Sequence, residues 1–334
     1  MKKFLVTGGT GFIGSHTVVE LYNAFPDCQI TILDNLVNSK VTVIDKIAKL
    51  SKRKPEFIKL DLLDTAGLEQ LFSTHHFDTV LHFAGLKAVG ESVAQPLRYY
   101  YNNLVGTLNL LRMMTKYQLN HIIFSSSATV YGDQGGKALT EDLPTGVAMT
   151  NPYGKTKYMI EEILKDLTAS RSDFSAIILR YFNPIGAHPS GLLGEDPNGI
   201  PTNIMPVITR VFTGKIKTLE IFGNDYDTPD GTCMRDYIHV VDLARGHVVA
   251  LQKTQGLHIF NLGSCQSTSV LELVQSFSKI SGKNLPYHFG PRRAGDLAVV
   301  YADASKAKRE LGWCTKLSVN DAVRDTINFI QKES

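Results

Sequence analysis

The chain is poor in cysteine. It has four in 334 residues, Cys28, Cys233, Cys265 and Cys314. They lie far apart, without the paired spacing of a zinc or redox motif, and a chain of this length needs no disulfide staples. A reducing cytoplasm is the expected compartment. No block of like charge stands out either: 35 basic residues face 32 acidic ones, for a formal net charge of +3. That balance leaves no electrostatic footprint for nucleic acid or membrane, although a local basic pocket would suffice for a small anion. No apolar run approaches a membrane span, and the stretch Phe4-Leu5-Val6 is too short for a signal-peptide core before it meets glycines. The expectation is a soluble, unprocessed cytoplasmic protein. Internal repeats and low-complexity tracts are also missing. His75-His76 falls in a loop, and His239 and His247 lack a partnering cluster, so no metal site is expected and the histidines read as packing or hydrogen-bonding residues.

What the chain does have is apolar sequence, 43% of it, enough for a large core. Short β-branched runs (Lys3 to Val6, Gln29 to Leu33, Glu56 to Leu60, Thr79 to Phe83, His121 to Ser125, Ser175 to Leu179) alternate with stretches of helical length such as Ile13 to Ala24, Pro96 to Tyr117 and Tyr153 to Ser170. Alternating β and α elements predict an α/β fold, a Rossmann-type doubly wound parallel sheet that binds ligands at the carboxyl ends of its strands. After about residue 180 the sequence loosens into Pro- and Gly-rich loops, as in Asn183-Pro184-Ile185-Gly186. Residues 1–180 are therefore expected to form a nucleotide-binding domain and residues 181–334 mainly a substrate-binding lobe. That boundary is soft, because Ile259 to Leu262 and the helical stretch Val270 to Ile280 could return to either part.

Gly8, Gly11 and Gly14 follow the first strand directly and open a helix. Glycines there turn the chain tightly and let backbone amides approach a pyrophosphate, which the positive helix end favours. Asp34 ends the second strand, 20 residues after Gly14. A carboxylate at that place accepts hydrogen bonds from a ribose and repels a 2′-phosphate, so NAD is favoured over NADP.

Tyr153 and Lys157 stand four residues apart at the start of a predicted helix and project from one face. A free phenol, with a pKa of about 10, is a poor base at neutral pH, and a nearby ammonium favours its ionised form. Ser125-Ser126-Ser127 follows the apolar strand His121 to Phe124 and puts hydroxyls at the carboxyl edge where a substrate should lie. No Gly-x-Ser-x-Gly elbow supports a hydrolase nucleophile.

These residues, together with Leu33-Asp34-Asn35-Leu36, His82 to Ser92, Leu179 to Pro184 and Arg235 to Val240, resemble the extended short-chain dehydrogenases/reductases and, within them, the UDP-glucose 4-epimerase family, along nearly the whole chain. The resemblance implies an isomerase with tightly bound NAD that inverts C4 of a UDP-hexose through a transient 4-keto sugar. It implies that Tyr153 moves the C4 hydroxyl proton, that Ser127 holds that oxygen, and that Lys157 binds the nicotinamide ribose and lowers the Tyr153 pKa. Around the cofactor it places Gly8, Gly11, Phe12, Ile13, Gly14, Asp34, Asn35, Asn38, Ser39, Asp61, Leu62, Phe83, Ala84, Gly85, Lys87, Asn102 and Phe182. Around the UDP-hexose it places Lys87, Ser127, Tyr153, Asn183, Asn203, Ile204, Phe222, Arg235, Arg293 and Asp296, with Arg292 as an alternative to its neighbour. It also implies a homodimer. Val300 departs from the best-known bacterial members, which carry a bulky tyrosine at the rim of the hexose pocket, and a smaller residue suggests room for a 2-acetamido group. Two other readings compete: a sugar-nucleotide 4,6-dehydratase and a non-catalytic nucleotide-binding regulator. The first needs an Asp-Glu pair where this chain has Ser127-Ala128-Thr129, and the second sits poorly with an intact tyrosine, lysine and serine.

Overall fold

The structure, a computed structural model, describes every residue except 200, 202, 294 and 334. Its centre is a seven-stranded parallel sheet: β1 (Lys3–Thr7), β2 (Gln29–Asp34), β3 (Glu56–Lys59), β4 (Thr79–His82), β5 (His121–Ser127), β6 (Ser175–Tyr181) and a final edge strand, Gly256–Leu262. The spatial order from one edge is Gly256–Leu262, β6, β5, β4, β1, β2, β3. The chain winds outward through β2 and β3, then returns to the other side of β1 through β4, so the winding direction reverses between β1 and β4. Sheets of this kind open a ligand crevice at that switch point, beyond the carboxyl ends of the strands.

The strands are apolar without a break because both faces of the sheet are covered. Alternate residues of one strand enter different cores: Phe4 and Val6 pack on one face with Ile32, Ile177 and Phe260, while Leu5 packs on the other with Leu33, Val80, Ile122 and Ile178. Helix α1 (Phe12–Ala24) belongs to the first face, beside the helix Val240–Ala250, which comes from late in the chain.

A separate, smaller core is built from Ile185, Met205, Ile208, Leu219, Ile221, Leu273, Phe277 and Val323, carried mainly by the helices Ile204–Phe212, Val270–Ser281 and Val319–Glu333, while Ile238, Leu243, Phe260, Leu262 and Trp313 from the same half of the chain join the first face of the sheet. Of the two segments with open placement, Ile259 to Leu262 joins the main sheet within the edge strand Gly256–Leu262, whereas the stretch from Val270 stays with the smaller core. The strand ends also move: β5 and β6 run two residues past their predicted ends, because Ser126, Ser127, Arg180 and Tyr181 continue the parallel ladder. Polar residues hid that continuation. Among the described residues no helix is long and apolar enough to cross a membrane.

Candidate active site

The glycine loop lies at the switch point and closes against the loop after β4. Gly8 has φ +70, and a Cβ there would sit 2.7 Å from the backbone nitrogen of Ala84. At Gly14 a Cβ would come within 2.5 Å of the Gly8 carbonyl oxygen. Only glycine permits both approaches. Helix α1 starts after Gly11 with no side-chain cap and no acidic residue in its first turn, so its leading amides and positive end face the cleft uncompensated. Asp34 stands opposite, accepting from Thr10 N at 3.1 Å, Leu36 N at 2.9 Å and Ser39 Oγ at 3.2 Å. A carboxylate has about four lone-pair sites, so it keeps capacity for a ribose hydroxyl. The Cβ-free cradle, the uncapped helix and the carboxylate fit the pyrophosphate and adenosine ribose of NAD. Asn35 donates to Asp61 Oδ2 at 2.8 Å, which joins the ends of β2 and β3 beneath that ribose position.

A second group is organised around β5. Asn151 accepts from Gly154 N at 2.8 Å and Pro152 occupies the first turn, so the helix Pro152–Ser170 starts at a defined residue. That start sets the directions of Tyr153 and Lys157. Lys157 is buried, donates to Ser125 O at 2.7 Å, and has Nζ 5.9 Å from the centre of the Tyr153 ring. Burial draws its pKa down to about 8, against the opposing pull of Glu161. Tyr153 is raised above the ordinary tyrosine value by burial, and a hydrogen bond with Ser127 lowers it only in part. In this arrangement the Lys157 ammonium is hydrogen-bonded to the Ser125 carbonyl and stands beside the Tyr153 ring, while the phenol is bonded to Ser127. Ser127 is itself fixed, accepting from Thr129 N at 3.3 Å and Thr129 Oγ1 at 3.0 Å. No carboxylate follows β5 in the turn Ala128–Tyr131, where dehydration would need one.

The far wall comes from the smaller lobe. The strand Val299–Val300 pairs in parallel with Met234–Arg235, and their register sets Val300 beside Arg235. Arg235 donates to Leu297 O at 2.7 Å and approaches Asp296 at 3.7 Å, while Arg293 donates to Asp296 at 2.8 Å and lies over the Phe222 ring at 5.6 Å. Two guanidinium groups thus converge on one carboxylate beside an exposed aromatic face, a setting suited to a diphosphate and a flat base. Arg292 turns away: it pairs with Asp225 and covers Tyr226 at 4.3 Å, outside the cleft. Arg293 is therefore the arginine at the wall. Val300 packs with Phe182, Val130 and Ala302.

Apart from Arg292, the site residues that the sequence singled out, from Gly8 to Val300, line one cleft of about 790 Å3. Several of its determinants were not singled out. Glu161 is fully buried, accepts from Ser126 Oγ and holds Arg180 at 2.7 and 3.1 Å; its i,i+4 spacing from Lys157 was the available signal. Asn103 clamps the loop after β4, accepting from Leu86 N at 2.8 Å and donating to Leu86 O at 3.0 Å and Thr156 Oγ1 at 3.1 Å. It sits in a π-helical turn, Tyr101–Val105, and nothing in the sequence distinguishes it from Asn102. Asp236 is buried and accepts from Ser264 N and Oγ, Cys265 N and Ala302 N, which locks the strand bearing Arg235 to the one bearing Val300. Glu195 also lines the cleft, bonded to Lys87 and Asn203.

Comparison with known proteins gives the same answer. The "NAD dependent epimerase/dehydratase family" matches residues 4–263. A UDP-glucose 4-epimerase of Bacillus subtilis is 52% identical over 325 residues, covering 96% of this chain and 95% of the relative. The crystal structure of UDP-glucose 4-epimerase from Bifidobacterium longum in complex with NAD+ and UDP superposes with a TM-score of 0.96 at 46% identity, covering 99% of this chain and 98% of that one. The UDP-Glc/GlcNAc 4-epimerase of Campylobacter jejuni superposes with a TM-score of 0.85 at 37% identity over the full length of both chains. The chain belongs to the NAD dependent epimerase/dehydratase family.

Proposed function

We propose that this chain is an NAD-dependent UDP-hexose 4-epimerase and that Tyr153 is its acid and base. The observation that carries the reading is the meeting, in one cleft, of a dinucleotide cradle with the Tyr153, Lys157 and Ser127 cluster. NAD, when bound, supplies a reversible hydride acceptor for C4. Gly8 to Gly14, Asp34, Asn35, Asn38, Ser39, Asp61, Leu62, Phe83 to Gly85, Asn102 and Phe182 would hold it. Ser127 donates to the C4 oxygen, and Tyr153 takes the hydroxyl proton as the 4-keto sugar forms. Removing that proton leaves a phenolate in a buried site, where the Lys157 ammonium is the stabilising charge. Tyr153 then returns the proton after the sugar has turned, so no net redox occurs. Asn183, Asn203, Ile204, Phe222, Arg235, Arg293 and Asp296 grip the nucleotide half, while Lys87 reaches both ligands. Remote binding of the nucleotide keeps C4 close without fixing which face it shows.

Val300 bounds the hexose end, and its small side chain favours use of UDP-GlcNAc and UDP-GalNAc besides UDP-glucose and UDP-galactose; the similar protein from Campylobacter jejuni is a UDP-Glc/GlcNAc 4-epimerase. The pairing partner is a second copy of the chain. Leu97, Tyr101 and Leu108 follow one another at helical spacing through 96–116 and are 81%, 61% and 41% exposed, with Val93 and Met159 exposed as well. Such an apolar stripe, with no membrane-spanning helix among the described residues, favours burial against a copy of the chain.

The reading is tested by purifying the protein, looking for copurifying NAD, and converting UDP-galactose to UDP-glucose; Tyr153→Phe should keep the NAD and lower kcat by about 10² to 10⁴-fold. Absence of both NAD and product from the wild type refutes it. Lys157 adds a pH test. Its pKa is about 8 in the folded NAD-free protein and 10.5 as the reference value, so the unfolded chain binds the extra proton between those values and stability due to this group rises with pH across that window. Urea unfolding at both ends should show a rise of up to about 1.4 kcal/mol per pH unit in the wild type relative to Lys157→Met; a flat difference contradicts the assignment. For the hexose, Val300→Tyr should lower kcat/KM for UDP-GalNAc by about ten- to a hundredfold and leave UDP-galactose within threefold. No turnover of UDP-GalNAc by the wild type ends that idea. Light scattering should give a dimer mass for the wild type and a monomer mass for Leu97→Asp; a wild-type monomer rules the dimer out.

A further inference from the structure

Glu195 has a role that the reaction above does not use. Its side chain is 93% buried, with a relative exposure of 7% in a loop of the smaller lobe. Oε1 accepts from Lys87 Nζ at 3.0 Å and from Asn203 Nδ2 at 2.9 Å. Lys87 belongs to the loop after β4, on the cofactor side, and Asn203 stands just before the helix Ile204–Phe212, on the nucleotide-sugar side, without a side-chain bond to that helix. One carboxylate thus joins a residue from each half of the cleft. Its other oxygen, Oε2, is buried with no donor among the described residues. Buried carboxylate oxygens are ordinarily satisfied, so Glu195 is not a completed structural clamp.

The residues that follow continue in the same direction. Asp196 pairs with Lys40, and Asn198 Nδ2 donates to Ser39 O at 3.1 Å. Lys40 and Ser39 belong to the loop after β2 that begins with Asp34, and Ser39 Oγ is one of the three donors to that aspartate. Residues 195–198 therefore run from the nucleotide-sugar half of the cleft across to the loop that would hold the adenosine ribose. Exposed pairs such as Lys40 with Asp196 contribute little alone. Anchored at a buried carboxylate, they become the outer end of a strap.

We propose that residues 195–198 form a strap over the cofactor, with Glu195 as a positioning residue through which occupancy of the nucleotide-sugar site slows release of NAD. The inference rests on the epimerase reading for the identity of the two ligands. A nucleoside diphosphate seated at Asn203 orders the Asn203 end of the Glu195 bridge, and the strap then holds its contacts at Ser39 and Lys40 for longer. An enzyme of this kind gains from the coupling, because loss of the cofactor in mid-cycle strands a 4-keto sugar.

The experiment measures release rather than turnover. Holoenzyme carrying its own NAD is mixed with an excess of an alcohol dehydrogenase and ethanol, which convert released NAD to NADH, and the absorbance is followed with and without saturating UDP. UDP should slow release from the wild type by about tenfold, the effect of a single charge-assisted contact. Glu195→Gln, which keeps the shape and removes the charge from Lys87, and the surface variant Asp196→Asn/Asn198→Ala should both release NAD about tenfold faster, with the UDP effect reduced below twofold. Release from the surface variant within twofold of the wild type, with the UDP effect intact, overturns the proposal whatever Glu195→Gln does. A chain that shows the release pattern but does not interconvert UDP-galactose and UDP-glucose supports the strap and refutes the reaction, so the two failures are distinct.

Discussion

The buried ion pair between Glu161 and Arg180 is the contact on which the site depends. Neither side chain reaches solvent: their exposures are 0% and 2%. Around the pair, Ser126 of β5 donates to Glu161, Arg180 of β6 donates to Tyr131 Oη at 2.9 Å, and Tyr131 donates to Asn261 of the edge strand at 2.7 Å. Asn261 in turn donates to Leu139 O at 2.7 Å. Helix Pro152–Ser170 supplies Glu161, so one network ties together the elements that carry Tyr153, Lys157, Ser127 and Phe182. Removing one member of such a pair leaves an unpaired buried charge, at about 3 to 5 kcal/mol. A buried pair does not stabilise a fold more than apolar packing would. What it supplies here is register between the helix and two strands, together with a negative charge one turn from Lys157 that keeps the lysine from losing its proton more readily still.

Much of this was legible in the sequence, for identifiable reasons. The main sheet was readable because strands covered on both faces must be continuously apolar, and because β-branched runs separated by helix-length segments leave few topologies. The cofactor cradle was readable because its glycines answer steric demands that no other residue meets, as at Gly8 and Gly14. Tyr153 and Lys157 share a helix face, and helix periodicity is local. The places where sequence reasoning stopped were those where a polar residue is defined by a partner distant in the chain. Arg180 looks like an interruption of a strand until Glu161 is seen beside it, and Asp236 finds its donors at residues 264, 265 and 302. Glu195 gave no signal, since an acid in a Gly-Glu-Asp-Pro loop ordinarily faces water.

The same distinction applies to Tyr153 and Lys157. Spacing placed the lysine one turn from the tyrosine, but not where its ammonium points. The amine reaches the Ser125 carbonyl at 2.7 Å, and burial then sets both pKa values: the lysine falls and the phenol rises. Both shifts oppose the ion pair of ammonium and phenolate. Without cofactor or sugar the site thus favours the neutral phenol, and on the proposed reading a residue held in that form is suited to give the proton back within the same cycle.

The proposed hexose wall belongs to another part of the molecule. Val300 has its backbone paired with Met234–Arg235, and its neighbour Ala302 is bonded to Asp236. The position of the hexose wall is thus set relative to Arg235, a ligand-gripping residue. The two sets of bonds meet at Leu139, whose carbonyl accepts from Asn261 at 2.7 Å and from Asp303 N at 2.8 Å and whose amide donates to Tyr301 O at 2.9 Å. The backbone at 300 is thereby tied to the Glu161 network, and on the proposed reading only the side chain is free to vary. One frame can then keep the reaction while the side chain at 300 sets the space for sugars that differ at C2.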